Sequence, residues 1–498
     1  MTGLWRMRSV TLLRAWARRD AVSMLSLRTY ASRSRAAKAS IEPMPLPCID
    51  QHEMRQSRVM AGSQHVGSAA SQKDEMLGPE PSYTDIVSGY DTFFCDEPFA
   101  LDYGSVLPSY QIAYETWGTL NAARDNAILL HTGLSASSHA ASTPRNTSKG
   151  WWEDFIGPGK ALDTNKFFVV CTNVLGSCYG STGPSSAHPL DADGAPYATR
   201  FPVLSIFDMV RAQFQLLDHL GIDTLYASVG SSLGGMLSIA AAHLFRERVG
   251  RVISISGCAR SAPSGIALRY AQRSVLMADE NWNRGFYYGP NQVQPHKGMK
   301  LARQIATITY RSGPEWEQRF GRRRHTQRSS ALCPDFLVET YLDHQGEQFC
   351  LKYDANSLIY ISKAMDLFDM TDDALAELGA ARMEAHGDDG NLPVERIDHA
   401  PASPKRRPHI TTISHPGAHA YVPSLARGLR RLHDVPILIL GVQSDILFPV
   451  EQQRELAECI RMNGNTSVMY YEIDAPHGHD SFLIDVANVG GAIKGFLN

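Results

Sequence analysis

A serine between two glycines is the feature of this chain most suited to chemistry. Residues 230–234 read Gly-Ser-Ser-Leu-Gly, after a short run at 224–229 that suits a buried strand and before an apolar run at 236–242 that suits a helix. Flanking glycines let the backbone turn sharply, so that the hydroxyl of Ser232 stands exposed at the end of the strand. The pentapeptide alone arises by chance in many long chains, but its strand-to-helix setting predicts a nucleophilic serine.

A serine hydroxyl is a weak nucleophile, and it needs a base that is oriented by a third group. On a strand-to-helix turn of a sheet, these partners follow the serine in the order acid, then histidine. Asp445 lies just past an apolar run that ends at Leu440, and His479 follows the last strand-like run, with His477 as the nearest rival base. Alone, Asp445 would fit a turn or a helix cap, and His479 an ordinary loop. Their joint placement after successive strands favours a triad with Ser232.

An acyl-transfer transition state also needs backbone donors for its oxyanion. The amide of Leu233, directly after the serine, is one candidate. The loop after a strand ending at His131 is expected to supply the other, at Leu134, although a plain strand-ending turn is the alternative there.

The elements that must position these groups alternate between strand-like and helical patterns from about residue 105. Such alternation predicts a parallel sheet covered by helices. Between about 262 and 432 the strand signals stop and the pattern is polar and mostly helical, which predicts a cap over the strand ends. Within it, residues 385–420 have linker composition and are predicted to form a disordered surface loop. The predicted strands are residues 110–116, 127–131, 167–171, 224–229, 249–256, 435–441 and 467–473.

Composition narrows the class of protein. The chain has 498 residues, 43% hydrophobic and 20% charged, as in globular proteins with a large core. A net charge of -3 gives no electrostatic reason to invoke nucleic acid or a membrane surface, and no apolar stretch reaches the length of a membrane span. Eight cysteines without C-x-x-C spacing indicate reduced thiols and no zinc site.

The first 40 residues differ from the rest. They contain eight arginines and Lys38 against a single acid, Asp20, with apolar residues interspersed. This composition predicts a mitochondrial transit peptide with a processing point near 28–32, and hence location in the mitochondrial matrix. A disordered basic tail is the alternative. Residues 41–80 are predicted to be a disordered lead-in.

Several segments longer than the serine pentapeptide carry more information. They are residues 134–140, 157–160, 173–184, 234–236, 309–312, 353–357, 364–366 and 478–483. Over about 90–370 and 432–498 the chain resembles the homoserine O-acyltransferase family of the α/β-hydrolase superfamily. The resemblance implies an α/β-hydrolase fold with a mostly parallel sheet, in which residues 81–261 and 433–498 form the core and 262–432 the helical cap.

The resemblance also implies roles for individual residues. Ser232 is expected to be the nucleophile, Asp445 the acid and His479 the base. Asp480 is expected to bind the ammonium of an amino-acid substrate, and Arg303 its α-carboxylate, with Arg311 the second choice. Arginines on the cap surface and an ordinary turn carboxylate are the alternatives for these last groups.

Two departures point to a particular branch of that family. Homoserine acetyltransferases usually have a glycine where this chain has Ser231, and residues 131–141 also differ from their usual loop. Both features resemble serine O-acyltransferases, which include fungal mitochondrial members that feed cysteine synthesis. The resemblance thus implies ping-pong transfer from acetyl-CoA or succinyl-CoA to L-serine by a homodimer without bound cofactor or metal.

Three other functions remain open at this point. Homoserine O-acetylation in methionine synthesis is the main alternative, because one methylene changes substrate binding by only about 1–3 kcal/mol. A carboxylesterase or thioesterase would use the same triad with water as acceptor, and Arg303 with Asp480 argues against it. A non-catalytic scaffold is disfavoured by the intact triad.

Overall fold

A single large sheet forms the centre of the fold. The computed structural model describes residues 87–289, 292–324, 335–387 and 419–498. Within these ranges an eight-stranded sheet has the order β1-β2-β4-β3-β5-β6-β7-β8. The strands are β1 (Asp91–Cys95), β2 (Tyr110–Trp117), β3 (Ala127–His131), β4 (Phe168–Thr172), β5 (Ala227–Ser231), β6 (Val252–Ile255), β7 (Ile437–Val442) and β8 (Val468–Ile473).

Most neighbouring strands run parallel. β2 pairs antiparallel with β1 and with β4, and the pairs from β4 through β8 are parallel. The carboxyl ends of β3, β5, β7 and β8 therefore meet at one edge of the sheet, where loops from distant parts of the chain can build a site. The predicted α/β-hydrolase fold with a mostly parallel sheet is confirmed.

Helices cover both faces of the sheet and form the segment between β6 and β7. They are α1 (Ile206–His219), α2 (Leu233–Leu244), α3 (Pro263–Met277), α4 (His296–Tyr310), α5 (Gly313–Arg319), α6 (Leu337–Cys350), α7 (Ala355–Asp366), α8 (Asp372–His386), α9 (Val422–Gly428), α10 (Val450–Arg461), α11 (Ser481–Ile484) and α12 (Gly491–Leu497). Helix α1 begins with a capping box, in which Ser205 and Asp208 each bind the other's backbone amide. None of the described helices has the length and apolar character needed to cross a bilayer.

The core lies on both faces of the sheet because its central strands are buried on both sides. In β3, Ala127 and Leu129 pack into one apolar cluster with α1 and α2. Ile128 and Leu130 point the other way, into a second cluster that includes α12. Each fully buried side chain of this size contributes about 1.5–3 kcal/mol to folding. The continuous apolar runs of the sequence are explained by this double burial.

The seven predicted strands correspond to β2 to β8 and differ from them only at a few boundaries, whereas β1 was not predicted. Strand β5 begins at Ala227, three residues later than predicted, and continues into the glycine-serine segment. The described residues between β6 and β7 include helices α3 to α9, and the helical cap at 262–432 stays a prediction. The predicted transit peptide, the lead-in at 41–80 and residues 388–418 of the predicted loop lie outside the described residues. The homodimer also stays a prediction.

Candidate active site

Ser232 occupies the turn between a strand and a helix. It follows the last residue of β5 and immediately precedes α2. Its backbone has φ 59° and ψ −121°, a conformation that residues with a side chain rarely adopt. Backbone strain of this kind concentrates at functional sites, where the surrounding fold holds it in place. The turn presents the serine side chain at the carboxyl edge of the sheet.

Two glycines make this turn sterically possible. A Cβ atom on Gly230 would lie 2.1 Å from the carbonyl oxygen of Gly234. A Cβ atom on Gly234 would lie 2.4 Å from the carbonyl oxygen of His131, at the end of β3. Both distances are far below a carbon–oxygen contact, so helix α2 approaches the strand ends this closely only with glycine at both positions.

Asp445 and His479 form a buried pair. Asp445 follows β7, and its Oδ2 lies 2.6 Å from Nδ1 of His479. Its Oδ1 accepts hydrogen bonds from the amides of Leu447 and Phe448, both at 2.9 Å. The Phe448 ring stacks on the imidazole, with ring centroids 5.1 Å apart. The carboxylate and the ring fix the imidazole, and its Nε2 atom makes no hydrogen bond within the described residues.

The loop that carries His479 is fixed to the loop after β7. Ser444 donates its hydroxyl proton to the carbonyl oxygen of Ala475 and accepts a hydrogen bond from the amide of Gly478 at 3.0 Å. These contacts place His479, and not the rival His477, against the carboxylate of Asp445.

One cavity gathers most of the residues singled out in the sequence. It has a volume of about 370 Å³ and is lined by Leu134, Ser232, Arg303, Arg311, His479 and Asp480, among others. Asp445 is buried behind His479, and Leu233 is buried next to Ser232. The predicted site residues, separated by up to about 350 positions in the chain, therefore meet at one place.

The two candidate oxyanion donors adjoin this cavity. Leu233 is the first residue of α2, where backbone amides have no partner within the helix. Leu134 lies in the loop after β3, and its carbonyl oxygen accepts a hydrogen bond from the Tyr353 hydroxyl at 2.7 Å. The same loop is held by His139, whose Nδ1 lies 3.0 Å from the buried carboxylate of Glu115. The loop that carries the Leu134 amide is therefore held at two points.

The two candidate arginines differ in how their charges are used. Arg311 bonds Glu315, and its Nη2 lies 3.4 Å from Oδ2 of Asp480. The guanidinium of Arg303 instead lies 4.4 Å from the centroid of the Phe349 ring, and its buried Nε has no hydrogen-bond partner in the described residues. Burial raises the pKa of Asp480, an effect that Arg311 and, more weakly, Arg303 oppose. Arg303 is thus the arginine whose charge is available to a ligand.

Two polar residues of helix α3 also line the cavity and were not identified from the sequence. Arg269 and Gln272 are nearly fully buried, and their spacing of three places them on one face of the helix. The only signal in the sequence was this spacing of long polar side chains, which surface helices share. That they line the same cavity as Ser232 depends on how the helices between β6 and β7 pack against the sheet.

The sheet order, the strained serine and the chain order Ser232, Asp445, His479 define the class of α/β hydrolases. The profile of the family described as "alpha/beta hydrolase fold" matches residues 126–486. A serine O-succinyltransferase of Emericella nidulans is 54% identical, covering 95% of this chain and 92% of that protein. One of Schizosaccharomyces pombe is 50% identical, covering 98% and 99%.

A solved structure supports the same placement. The homoserine O-acetyltransferase of Bacillus anthracis superimposes with a TM-score of 0.65 at 26% identity, covering 82% of this chain and 97% of that one. The chain therefore belongs to the α/β-hydrolase family, in the acyltransferase branch to which these relatives belong.

Proposed function

We propose that this protein is an L-serine O-acyltransferase that transfers a succinyl group from succinyl-CoA through an ester on Ser232. The proposal rests on one observation, that the proposed catalytic residues and the charged residues suited to an amino acid line the same cavity. Ser232 and His479 line the same space as Arg303 and Asp480, which offer opposite charges to the carboxylate and ammonium of an amino acid. The relatives that are 50–54% identical are named serine O-succinyltransferases, which supports serine as the acceptor and succinyl as the transferred group.

In the first half-reaction, the hydroxyl oxygen of Ser232 attacks the thioester carbonyl of the donor. His479 accepts the hydroxyl proton on Nε2, while Asp445 holds Nδ1 and stabilises the imidazolium that forms. The amides of Leu233 and Leu134 are the proposed donors to the oxyanion. The carbon–sulfur bond then breaks, and the proton passes from His479 to the sulfur of the departing CoA.

In the second half-reaction, the hydroxyl of the substrate serine attacks the ester on Ser232. His479 takes the proton from this hydroxyl and returns it to the oxygen of Ser232 as the ester bond breaks. The product is an O-acylserine, whose β-carbon now carries a good leaving group. Such a compound suits replacement by sulfide in cysteine synthesis.

The competing acceptor is water, and the competing substrate is homoserine. We therefore propose to measure CoA release by the purified protein from succinyl-CoA and acetyl-CoA, with L-serine, L-homoserine or no acceptor. The proposal requires that release be fastest with succinyl-CoA and L-serine together. Release that needs no acceptor would identify a thioesterase, and faster release with L-homoserine would assign the protein to homoserine acylation.

Replacing Arg303 by methionine should raise the KM for L-serine by about 100-fold, since the α-carboxylate loses its charged partner in a buried site. The guanidinium of Arg303 lies over the ring of Phe349, and a methionine side chain can keep this packing. The matched control is Lys300→Met, which removes a cation of the same helix that pairs with Asp343 away from the cavity. Serine saturation curves measure the effect, and an unchanged KM in Arg303→Met would contradict this role.

The basic, acid-poor composition of residues 1–40 supports a separate proposal, that the protein is delivered to the mitochondrial matrix. A fluorescent protein fused after residue 40 should then enter mitochondria in fungal cells. The matched control replaces the eight arginines of this segment by glutamine and should stay outside. Diffuse cytosolic fluorescence of the unmodified fusion would favour a plain basic tail.

A further inference from the structure

The proposed reaction, on which this inference rests, brings two carboxylates into one cavity. One is the α-carboxylate of the acceptor serine, and the other is the terminal carboxylate of the succinyl group on Ser232. A buried carboxylate without hydrogen-bond donors is strongly unfavourable. Each of the two therefore requires donors of its own in the cavity wall.

Three arginines of the described residues line the cavity, and their neighbours distinguish them. Arg311 is occupied by Glu315 and Asp480. Arg303 is without a carboxylate partner in the described residues, and its charge weakly opposes the rise that burial causes in the pKa of Asp480. Arg303 and Asp480 both line the cavity, and their opposite charges match the two ends of one amino acid. Arg303 and Asp480 therefore form the acceptor subsite, which leaves the acyl carboxylate to the third arginine.

The third arginine, Arg269, has hydrogen-bonding capacity that the protein does not use. Its Nε donates to Oδ1 of Asp366 at 2.5 Å, and its Nη2 donates to the hydroxyl of Ser261 at 3.1 Å. Its Nη1 makes no hydrogen bond within the described residues, although only 3% of Arg269 is exposed. A guanidinium that is held on one side and free on the other is preorganised for an anion.

Gln272 lies beside Arg269 on the same face of α3 and lines the same cavity. Only 7% of this residue is exposed, and its side-chain amide makes no hydrogen bond with the described residues. A buried polar side chain normally has a partner, so an unpartnered one that faces a cavity points to a ligand. The carboxamide nitrogen can donate to a second carboxylate oxygen while Nη1 of Arg269 donates to the first.

We propose that Arg269 and Gln272 bind the terminal carboxylate of the succinyl group and so select a dicarboxylic acyl donor over a neutral one. Asp366 acts here as a positioning residue. It bonds both Arg269 and Arg273, each at 2.5 Å, and thereby fixes the guanidinium of Arg269 with Nη1 free. Arg273 completes its own bonds with Ser362 and does not line the cavity.

The test compares succinyl-CoA with butyryl-CoA, whose acyl group has the same number of carbons and no second carboxylate. The measured quantity is the donor ratio, which is kcat/KM for succinyl-CoA divided by kcat/KM for butyryl-CoA, with saturating L-serine. Gln272→Leu should lower this ratio by about 10-fold, because it removes a neutral hydrogen-bond donor. Arg269→Met should lower it by about 100-fold, because it removes a charged donor. Gln272→Leu breaks no bond of the described protein, so it tests the proposal even if Arg269→Met folds poorly.

Arg273→Met is the matched control. It removes the other guanidinium from Asp366, and therefore repeats the structural damage of Arg269→Met without altering the cavity wall. We expect a lower melting temperature and an unchanged donor ratio. A donor ratio that falls equally in Arg273→Met and Arg269→Met would overturn the proposal, because the effect would then come from general damage to the cap.

The remaining outcomes separate this inference from the proposed function. If the unaltered protein transfers succinyl to L-serine but the two cavity variants keep its donor ratio, the subsite is wrong and the function stands. If those variants raise the KM for L-serine instead, Arg269 and Gln272 belong to the acceptor subsite. If the unaltered protein transfers no acyl group to L-serine, the proposed function itself fails.

Discussion

Replacing Ser232 by alanine should lower kcat for acyl transfer by about 10⁶-fold, because loss of the nucleophile disables the whole triad. The CoA-release assay with L-serine measures the effect. The change should leave stability nearly unaltered, since both residues carry a Cβ atom and share the strained backbone with φ 59°. Thermal unfolding of the variant checks that its loss of activity is not a loss of folding.

Ser231→Ala is the matched control for that variant. Ser231 is the adjacent residue, the last of β5, and its buried hydroxyl has no hydrogen-bond partner among the described residues. Its removal should keep most of the transferase activity. Transfer by Ser232→Ala at the rate of the unaltered protein would rule out a covalent intermediate on this residue, and direct attack of serine on the thioester would replace it.

Replacing Asp445 by asparagine should lower kcat by about 10⁴-fold while leaving the fold intact. The amide oxygen can still accept the hydrogen bonds of Leu447 and Phe448 that Oδ1 receives now. The NH₂ group would then face Nδ1 of His479, which must become an acceptor, so that Nε2 carries the proton and cannot take one from Ser232. Steady-state kinetics with both substrates measure the loss.

The control for Asp445→Asn is Asp474→Asn, which removes an exposed carboxylate just after β8. It should keep full activity. The double variant Ser232→Ala with Asp445→Asn should be no slower than Ser232→Ala alone, because members of a triad act as a unit. A further loss in the double variant would show that Asp445 acts independently of Ser232.

The meeting of the proposed catalytic residues was predictable because its signals are local. Ser232 lies in a five-residue pattern whose glycines are required by contacts within a few residues and with the neighbouring strand. Asp445 and His479 each follow a buried strand, and parallel strands bring their carboxyl ends to one edge. Chain order therefore predicted that Asp445 pairs with a histidine after β8, and the family resemblance favoured His479, which the structure places against Asp445.

The cavity wall proposed to bind the substrates was less predictable because it depends on how the helices between β6 and β7 pack over the sheet. Arg269 and Arg303 lie on helices α3 and α4, and each helix shows only an ordinary amphipathic pattern. That pattern predicts burial of one face but does not identify what the face meets. Whether an arginine there pairs with Asp366, stacks on Phe349 or faces a ligand is decided by contacts far away in sequence.

Strand β1 was missed for a related reason. Its five residues, Asp91–Cys95, pair antiparallel with β2 at the edge of the sheet. Phe93 is buried, whereas the neighbouring Phe94 is 60% exposed. So short an edge strand carries neither a long alternating pattern nor a continuous apolar run, and only its pairing with β2 identifies it.

A covalent intermediate on Ser232 is detected most directly by the mass of the protein after brief incubation with succinyl-CoA in the absence of L-serine. We expect one covalent succinyl group, located on the peptide that contains Ser232, and its quantitative transfer to L-serine when the amino acid is added. An unmodified protein that nevertheless forms O-succinylserine once both substrates are present would show that transfer does not pass through an ester on Ser232.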